Sequence, residues 1–306
     1  VTPTDRLHLQ RRGLPLVAHA WGPEDAPVVL CLHGFLDHGE SFAALAGQLA
    51  GPWRVVAPDA RGHGWSGWVG SGGNYYFPDY YHDALGWLEA LGAAAGHPVP
   101  VVGHSMGGMI ACGVAALRPQ WVQRVVLLDG LGPPERPVAT ARNLLAAWAD
   151  GLDQPSCQGD VAARRRSRRP MADVASAAQK LTSINPRLRL PMALQLAATS
   201  TQAVAAQDTD SGVAGVVWRH DPLHRVPSAR PFRTDEAMPI WQAMTMPVLA
   251  IGAGQSEWTL PDRDQRLAAL PDVTWRSIDD AGHNLHHEQP WKLAEWLGSW
   301  LRGGIT

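Results

Sequence analysis

The stretch "VVGHSMGGMIACGVAALRP", residues 101–119, opens as an apolar run suited to a β-strand and closes as an alanine-rich run suited to a helix. Between them Ser105 is flanked by Gly103, Gly107 and Gly108. Glycine costs a helix about 1 kcal/mol relative to alanine. Three of them at one strand-to-helix joint therefore point to a chain reversal too tight for side chains. The pattern is G-x-S-x-G, in which small residues two before and two after the serine let the chain pass itself. Ser105 Oγ is then expected to stand clear at the carboxyl end of a sheet. There the free N–H groups of a helix start favour developing negative charge. A dinucleotide loop would require G-x-G-x-x-G and a phosphate-binding P-loop a Lys-Ser/Thr pair, and neither occurs here.

The other runs extend this strand–helix unit into a sheet. Apolar segments at 14–21, 28–34, 53–59, 99–105, 123–130, 246–254 and 273–280 are the strand candidates. Helix candidates lie near 39–50, 78–92, 106–117, 262–270 and 290–301. Continuous apolar strands alternating with helices predict an α/β fold with a mostly parallel sheet covered on both faces. The rhythm breaks between about Leu131 and Pro239, where alanine, arginine, glutamine and proline dominate. This predicts a helical insertion without strands. Its "RRRSRRP" (164–170) reads as a solvated face or loop.

A chain of 306 residues can bury one large core. A formal charge of −2 gives no electrostatic argument for nucleic acid or an anionic membrane. No apolar run approaches the roughly 18 residues that span a bilayer, and "VTPTDRLHLQRRG" (1–13) lacks a signal peptide's hydrophobic core. The expectation is a soluble, cytoplasmic protein without membrane insertion. Cys31, Cys112 and Cys157 make an odd count, read as free thiols rather than a disulfide framework. The histidines show no H-E-x-x-H spacing and the cysteines no C-x-x-C, so neither metal nor cofactor is expected.

Serine needs a base. "DDAGHNLHHEQP" (279–290) places His283 just after the last strand candidate, behind the small Ala281-Gly282. His286 and His287 are its local rivals and lead into the final helix. An oxyanion needs two donors. The N–H of Met106, directly after the serine, is one, and the N–H of Phe35, following His33-Gly34 at a strand end, is expected to be the other.

His33-Gly34, "DARGHGWS" (59–66), the 103–107 turn and "GH…HEQP" (282–290) together resemble the α/β-hydrolase fold family. "HGFLDHGESF" (33–42) and "WRHDPLHRVPSARPF" (218–232) look like its serine-hydrolase-like branch. The resemblance implies a core domain of residues 1–131 and 239–306. It also implies a helical cap, or lid, over the active site at 132–238, inserted after the sixth strand. Trp148, Trp218 and Trp241 would either line its pocket or hold it together. The family's acid follows either the seventh strand or the sixth. Glu257 imitates the first arrangement, while Asp129, 24 residues after Ser105, matches the second and is preferred. Its role would be to accept the His283 Nδ1 proton and fix the tautomer. The expected activity is hydrolysis of a small apolar or aromatic carboxylic ester through an acyl-serine. Carbon–carbon bond hydrolysis, perhydrolysis and silent ligand binding are the alternatives. Dehalogenases and epoxide hydrolases of this fold carry aspartate at the position of Ser105. Oligomeric state is not legible.

Overall fold

The computed structural model describes residues 1–137 and 140–304. Ten strands are present among them: β1 (Asp5–Arg11), β2 (Leu14–Trp21), β3 (Val28–Leu32), β4 (Arg54–Pro58), β5 (Val99–His104), β6 (Val122–Leu128), β7 (Thr201–Val204), β8 (Gly215–Trp218), β9 (Val248–Ala253) and β10 (Val273–Ile278). Eight form one sheet in the order β1-β2-β4-β3-β5-β6-β9-β10. From β4 to β10 all neighbours are parallel, and only β1–β2 and β2–β4 run antiparallel.

Alternation along each central strand feeds two cores. Leu30, Val101, Val125 and Leu127 point to one face, while Val29, Cys31, Val102 and Val126 point to the other. Burial on both faces is why these strands read as unbroken apolar runs. The helices are α1 (Ala43–Leu49), α2 (Phe77–Ala90), α3 (Met106–Leu117), α4 (Ala141–Leu152), α5 (Val161–Arg166), α6 (Val174–Ile184), α7 (Leu190–Ser200), α8 (Thr234–Gln242), α9 (Arg263–Ala268), α10 (Leu285–Glu288) and α11 (Pro290–Leu301). The first face carries α2, α3 and α8 through Tyr80, Trp87, Ile110, Ala111 and Trp241. The second carries α1 and α11 through Leu45, Leu49, Leu293 and Leu297. No described helix is long and apolar enough to cross a membrane.

Four features depart from the sequence expectations. Strand β1 is an additional edge strand whose burial alternates between exposed and half-buried positions. A half-exposed edge has too few apolar residues to stand out. The insertion is not purely helical, for β7 and β8 pair as a short antiparallel hairpin beside a small core of Met171, Ala177, Ala178, Leu188, Ala193, Leu196 and Ala197. Arg164 of the basic run is 2% exposed rather than solvated. Its Nη2 lies 2.9 Å from Asp221 Oδ2, which also accepts from the Tyr75 hydroxyl at 2.9 Å. The N–H of Asp221 donates to the Gly62 carbonyl at 2.8 Å, so this buried pair ties insertion to core. The expected boundary at residue 238 falls inside α8, whose Trp241 is fully buried in the main core.

Candidate active site

The glycines around Ser105 are explained by distance. A Cβ at Gly103 would stand 2.3 Å from the Gly107 carbonyl oxygen, one at Gly107 would stand 2.0 Å from the Leu32 oxygen, and one at Gly108 would stand 2.7 Å from Gly130 Cα. Strand β5 and helix α3 can therefore meet only through backbone. Ser105 itself adopts φ 50°, ψ −114°, a sparsely populated conformation for a residue with a side chain. Its N–H holds the turn to β6 by donating to the Leu128 carbonyl at 3.1 Å.

Three chain-distant residues converge there. His283 Nε2 is 2.9 Å from Ser105 Oγ, and its Nδ1 is 2.7 Å from Asp129 Oδ2. Asp129 follows β6 with φ 44°, held by its N–H to the Ile251 carbonyl at 2.8 Å. Glu257 is exposed and makes no hydrogen bond or ion pair among the described residues. Between the two acids lies a residue that the sequence reading passed over. Ser256 Oγ donates to Asp129 Oδ2 at 2.6 Å and accepts from the Trp258 N–H at 3.2 Å. A hydroxyl thus stands at the end of the strand where relatives of the other arrangement carry the acid. Only tertiary pairing identifies it, since serine is common in loops.

This contact carries a prediction. Ser256→Ala leaves Asp129 with one fewer donor, so kcat is expected to fall about tenfold, the size of one hydrogen bond to a charged group. Substrate affinity should hold. Steady-state kinetics on the folded variant decides it, and an unchanged kcat would remove Ser256 from the relay.

The peptide expected to supply the second oxyanion donor lies beside Ser105. A Cβ at Gly34 would stand 3.4 Å from Ser105 Cβ, so the 34–35 peptide lies against the serine. His33 Nδ1 lies 2.7 Å from the Gly34 carbonyl oxygen, and His33 Nε2 accepts from the Ala60 N–H at 2.9 Å. These two contacts fix the tautomer, with Nδ1–H donating to the carbonyl. In a planar trans peptide the N–H points opposite the C=O, so His33 aims the Phe35 N–H away from itself. Neither Phe35 N–H nor Met106 N–H has a partner among the described residues, whereas Leu36 N–H is taken by His63 Nε2 at 3.2 Å. The exposed Trp258 ring lies 5.6 Å from that of His283, and exposed Phe35 packs edge-on to His63 and His224. Trp218 packs on the small core of the insertion. A cavity of about 290 Å³ reaches Asp129 and Ser256 but not Ser105.

Several histidines of the chain are buried, His220 less fully than the rest. Burial lowers His33, and it pushes His63 and His104 well below the usual imidazole range, with neighbouring histidines adding to the last two. Burial likewise brings His286 and His224 down to about 3 and His220 to about 4. His38 is the exception: burial would lower it, but Asp37 beside it raises it. An unfolded histidine takes up its proton near pH 6.5, while these six refuse it when folded. Stability is therefore full above that pH and is lost as pH falls toward the folded values, against a smaller gain from His38. The slope is about 1.4 kcal/mol per pH unit for each proton. Urea midpoints should drop steadily from pH 7 to pH 5; equal midpoints would mean these imidazoles are not held neutral.

Comparison with known proteins follows the same lines. The alpha/beta hydrolase fold family matches residues 27–290. A serine hydrolase-like protein of Danio rerio is 42% identical over 117 residues, covering 38% of this chain and 35% of the relative. The 3-hydroxybutyrate-oligomer hydrolase of Cupriavidus necator is 37% identical over 125 residues, covering 40% of this chain and 41% of the relative. Both alignments thus span less than half of those proteins. Among solved structures, the thioesterase domain from the curacin biosynthetic pathway superposes with a TM-score of 0.80 at 26% identity, covering 96% of this chain and 98% of that one. Fold, sheet order and sequence agree: the chain belongs to the alpha/beta hydrolase fold family, close to its serine-hydrolase-like branch.

Proposed function

We propose that the protein is a serine hydrolase that cleaves carboxylic esters through an acyl-serine intermediate. The observation that carries this reading is the continuous chain Ser105 Oγ, His283 Nε2, His283 Nδ1, Asp129 Oδ2, with contacts of 2.9 and 2.7 Å. Neutral His283 takes the Ser105 proton as Oγ attacks the ester carbonyl. The N–H groups of Met106 and Phe35 receive the charge on the former carbonyl oxygen. As the tetrahedral intermediate collapses, His283 returns the proton to the departing alcohol. Water then attacks the acyl-serine with His283 again as base, releasing the acid and restoring Ser105. Asp129 keeps the imidazole in the tautomer that presents a lone pair to Ser105.

Exposed Trp258 beside His283, and exposed Phe35 next to the Gly34 that approaches Ser105, suit an apolar or aromatic ester. The C. necator relative is named for hydrolysis of an oligomer and the structural neighbour is a thioesterase, which supports acyl transfer as the chemistry. Residues between β6 and α8 would act as the lid. A fluorophosphonate probe should label Ser105, and p-nitrophenyl esters of graded chain length should be turned over. Absence of labelling would turn the reading toward a silent ligand-binding protein. Turnover of a vinylogous diketone with inert esters would replace it with carbon–carbon bond hydrolysis.

A further inference from the structure

Next to the 103–107 turn, two segments bring imidazoles around a carboxylate from a third. Asp37 comes from the loop after β3, His104 precedes Ser105, and His286 and His287 lie on α10. His286 is fully buried and His104 is 2% exposed. Both nitrogens of His286, Nδ1 of His104 and Nε2 of His287 are buried with no hydrogen-bond partner among the described residues. Buried polar atoms are rarely and at real cost left without a partner, so four in one cluster call for an occupant.

The spacing says what kind. His286 Nε2 is 3.4 Å and His287 Nε2 is 3.5 Å from Asp37 Oδ2. Imidazolium donors on a carboxylate sit at about 2.7–2.9 Å. Ligands around one tetrahedral ion, with bonds of about 2.0–2.1 Å, stand roughly 3.4 Å apart. One nitrogen each of His104 and His286 and one oxygen of Asp37 all lie within 4.8 Å of one another. His104 Nε2 must carry its proton, because it faces the His283 carbonyl at 2.9 Å, and Nδ1 therefore holds a lone pair. Ser41 Oγ donates to Asp37 Oδ2 at 2.8 Å and orients the carboxylate, as partners of metal ligands commonly do. Asp37, with its side chain 15% exposed, leaves a side from which an ion can arrive.

We propose that Asp37, His104 and His286 bind one divalent transition-metal ion of the zinc class. Imidazole-rich sets favour zinc, copper and nickel, whereas magnesium and calcium take oxygen ligands. The ligands come from three separate segments, so no local spacing in the sequence announces them. An ion here would tie together the loop bearing Phe35, the residue before Ser105 and the helix following His283.

Calorimetric titration of metal-stripped full-length protein with zinc, and of a parallel sample with cobalt(II) followed by its visible absorption, tests the site. One ion per chain is expected, bound equally by the Ser105→Ala variant. Asp37→Asn and His286→Gln should each weaken it on the order of 100-fold, at least the loss seen when outer partners of metal ligands are removed. Circular dichroism checks folding, and if His286→Gln does not fold, the partly exposed Asp37→Asn carries the comparison. No binding of either metal, or binding that survives Asp37→Asn unchanged, overturns the proposal.

Discussion

Ser105→Ala is expected to lower ester turnover by about 10⁶-fold, the scale on which loss of a triad nucleophile acts. The substitution removes the oxygen positioned 2.9 Å from His283 Nε2. What remains is the pair of N–H groups and substrate binding, which by themselves leave a rate about 10³–10⁴ above water. The fold should be untouched, because the elbow is defined by glycine contacts and the Ser105 N–H rather than by its hydroxyl. Alanine keeps the positive φ, so the strain of that position stays while its use is lost. Burst kinetics and fluorophosphonate labelling should both vanish. A purified, correctly folded variant that still turns over p-nitrophenyl esters would mean another nucleophile.

Asp129→Asn should cost about 10⁴-fold in kcat. The amide keeps the shape and the 2.7 Å contact but can offer an N–H to His283 Nδ1, which then turns its own proton toward Ser105. In that tautomer the histidine cannot accept the serine proton. An amide NH2 in that place also faces the Ser256 hydroxyl, which donates to the same carboxylate oxygen and would lose its acceptor. Glu257→Gln should leave kcat unchanged, as that side chain is exposed. Measured together, the two variants separate the acids: loss at Glu257 with retention at Asp129 would reverse the assignment.

How far the sequence reached depended on whether the signal was local. The β5–α3 joint was legible because sterics at one turn demand glycine at fixed offsets, and α3 occupies the 106–117 expected for it. The central strands were legible because burial on both faces leaves continuous apolar runs, 99–102 in β5 and 125–128 in β6. Strand β1 and the β7–β8 hairpin were not. The first is half exposed, and each strand of the second is only four residues long. Asp129 and Glu257 could be weighed but not separated from sequence, because both follow strands whose relative depth only the assembled sheet defines. Arg164 was misread for a similar reason: its partner Asp221 lies 57 residues away, out of range of any charge pattern. Trp241, expected with the insertion, packs in the main core because α8 returns to the sheet before residue 238.

That buried pair bears on protein engineering. Recombination between relatives treats the segment after β6 as a cassette to be exchanged between sheets. Here the cassette is wired to its host by Asp221, fully buried and shared between Arg164 of the insertion and Tyr75 of the core. A graft that imports Arg164 and Asp221 without a host hydroxyl at the position of Tyr75 leaves one lone pair of Asp221 unmet. A crossover between residues 164 and 221 divides the pair itself, at about 3–5 kcal/mol for the uncompensated charge. Viable chimeras should therefore be those in which the 62–75 loop travels with the insertion as a single inherited unit.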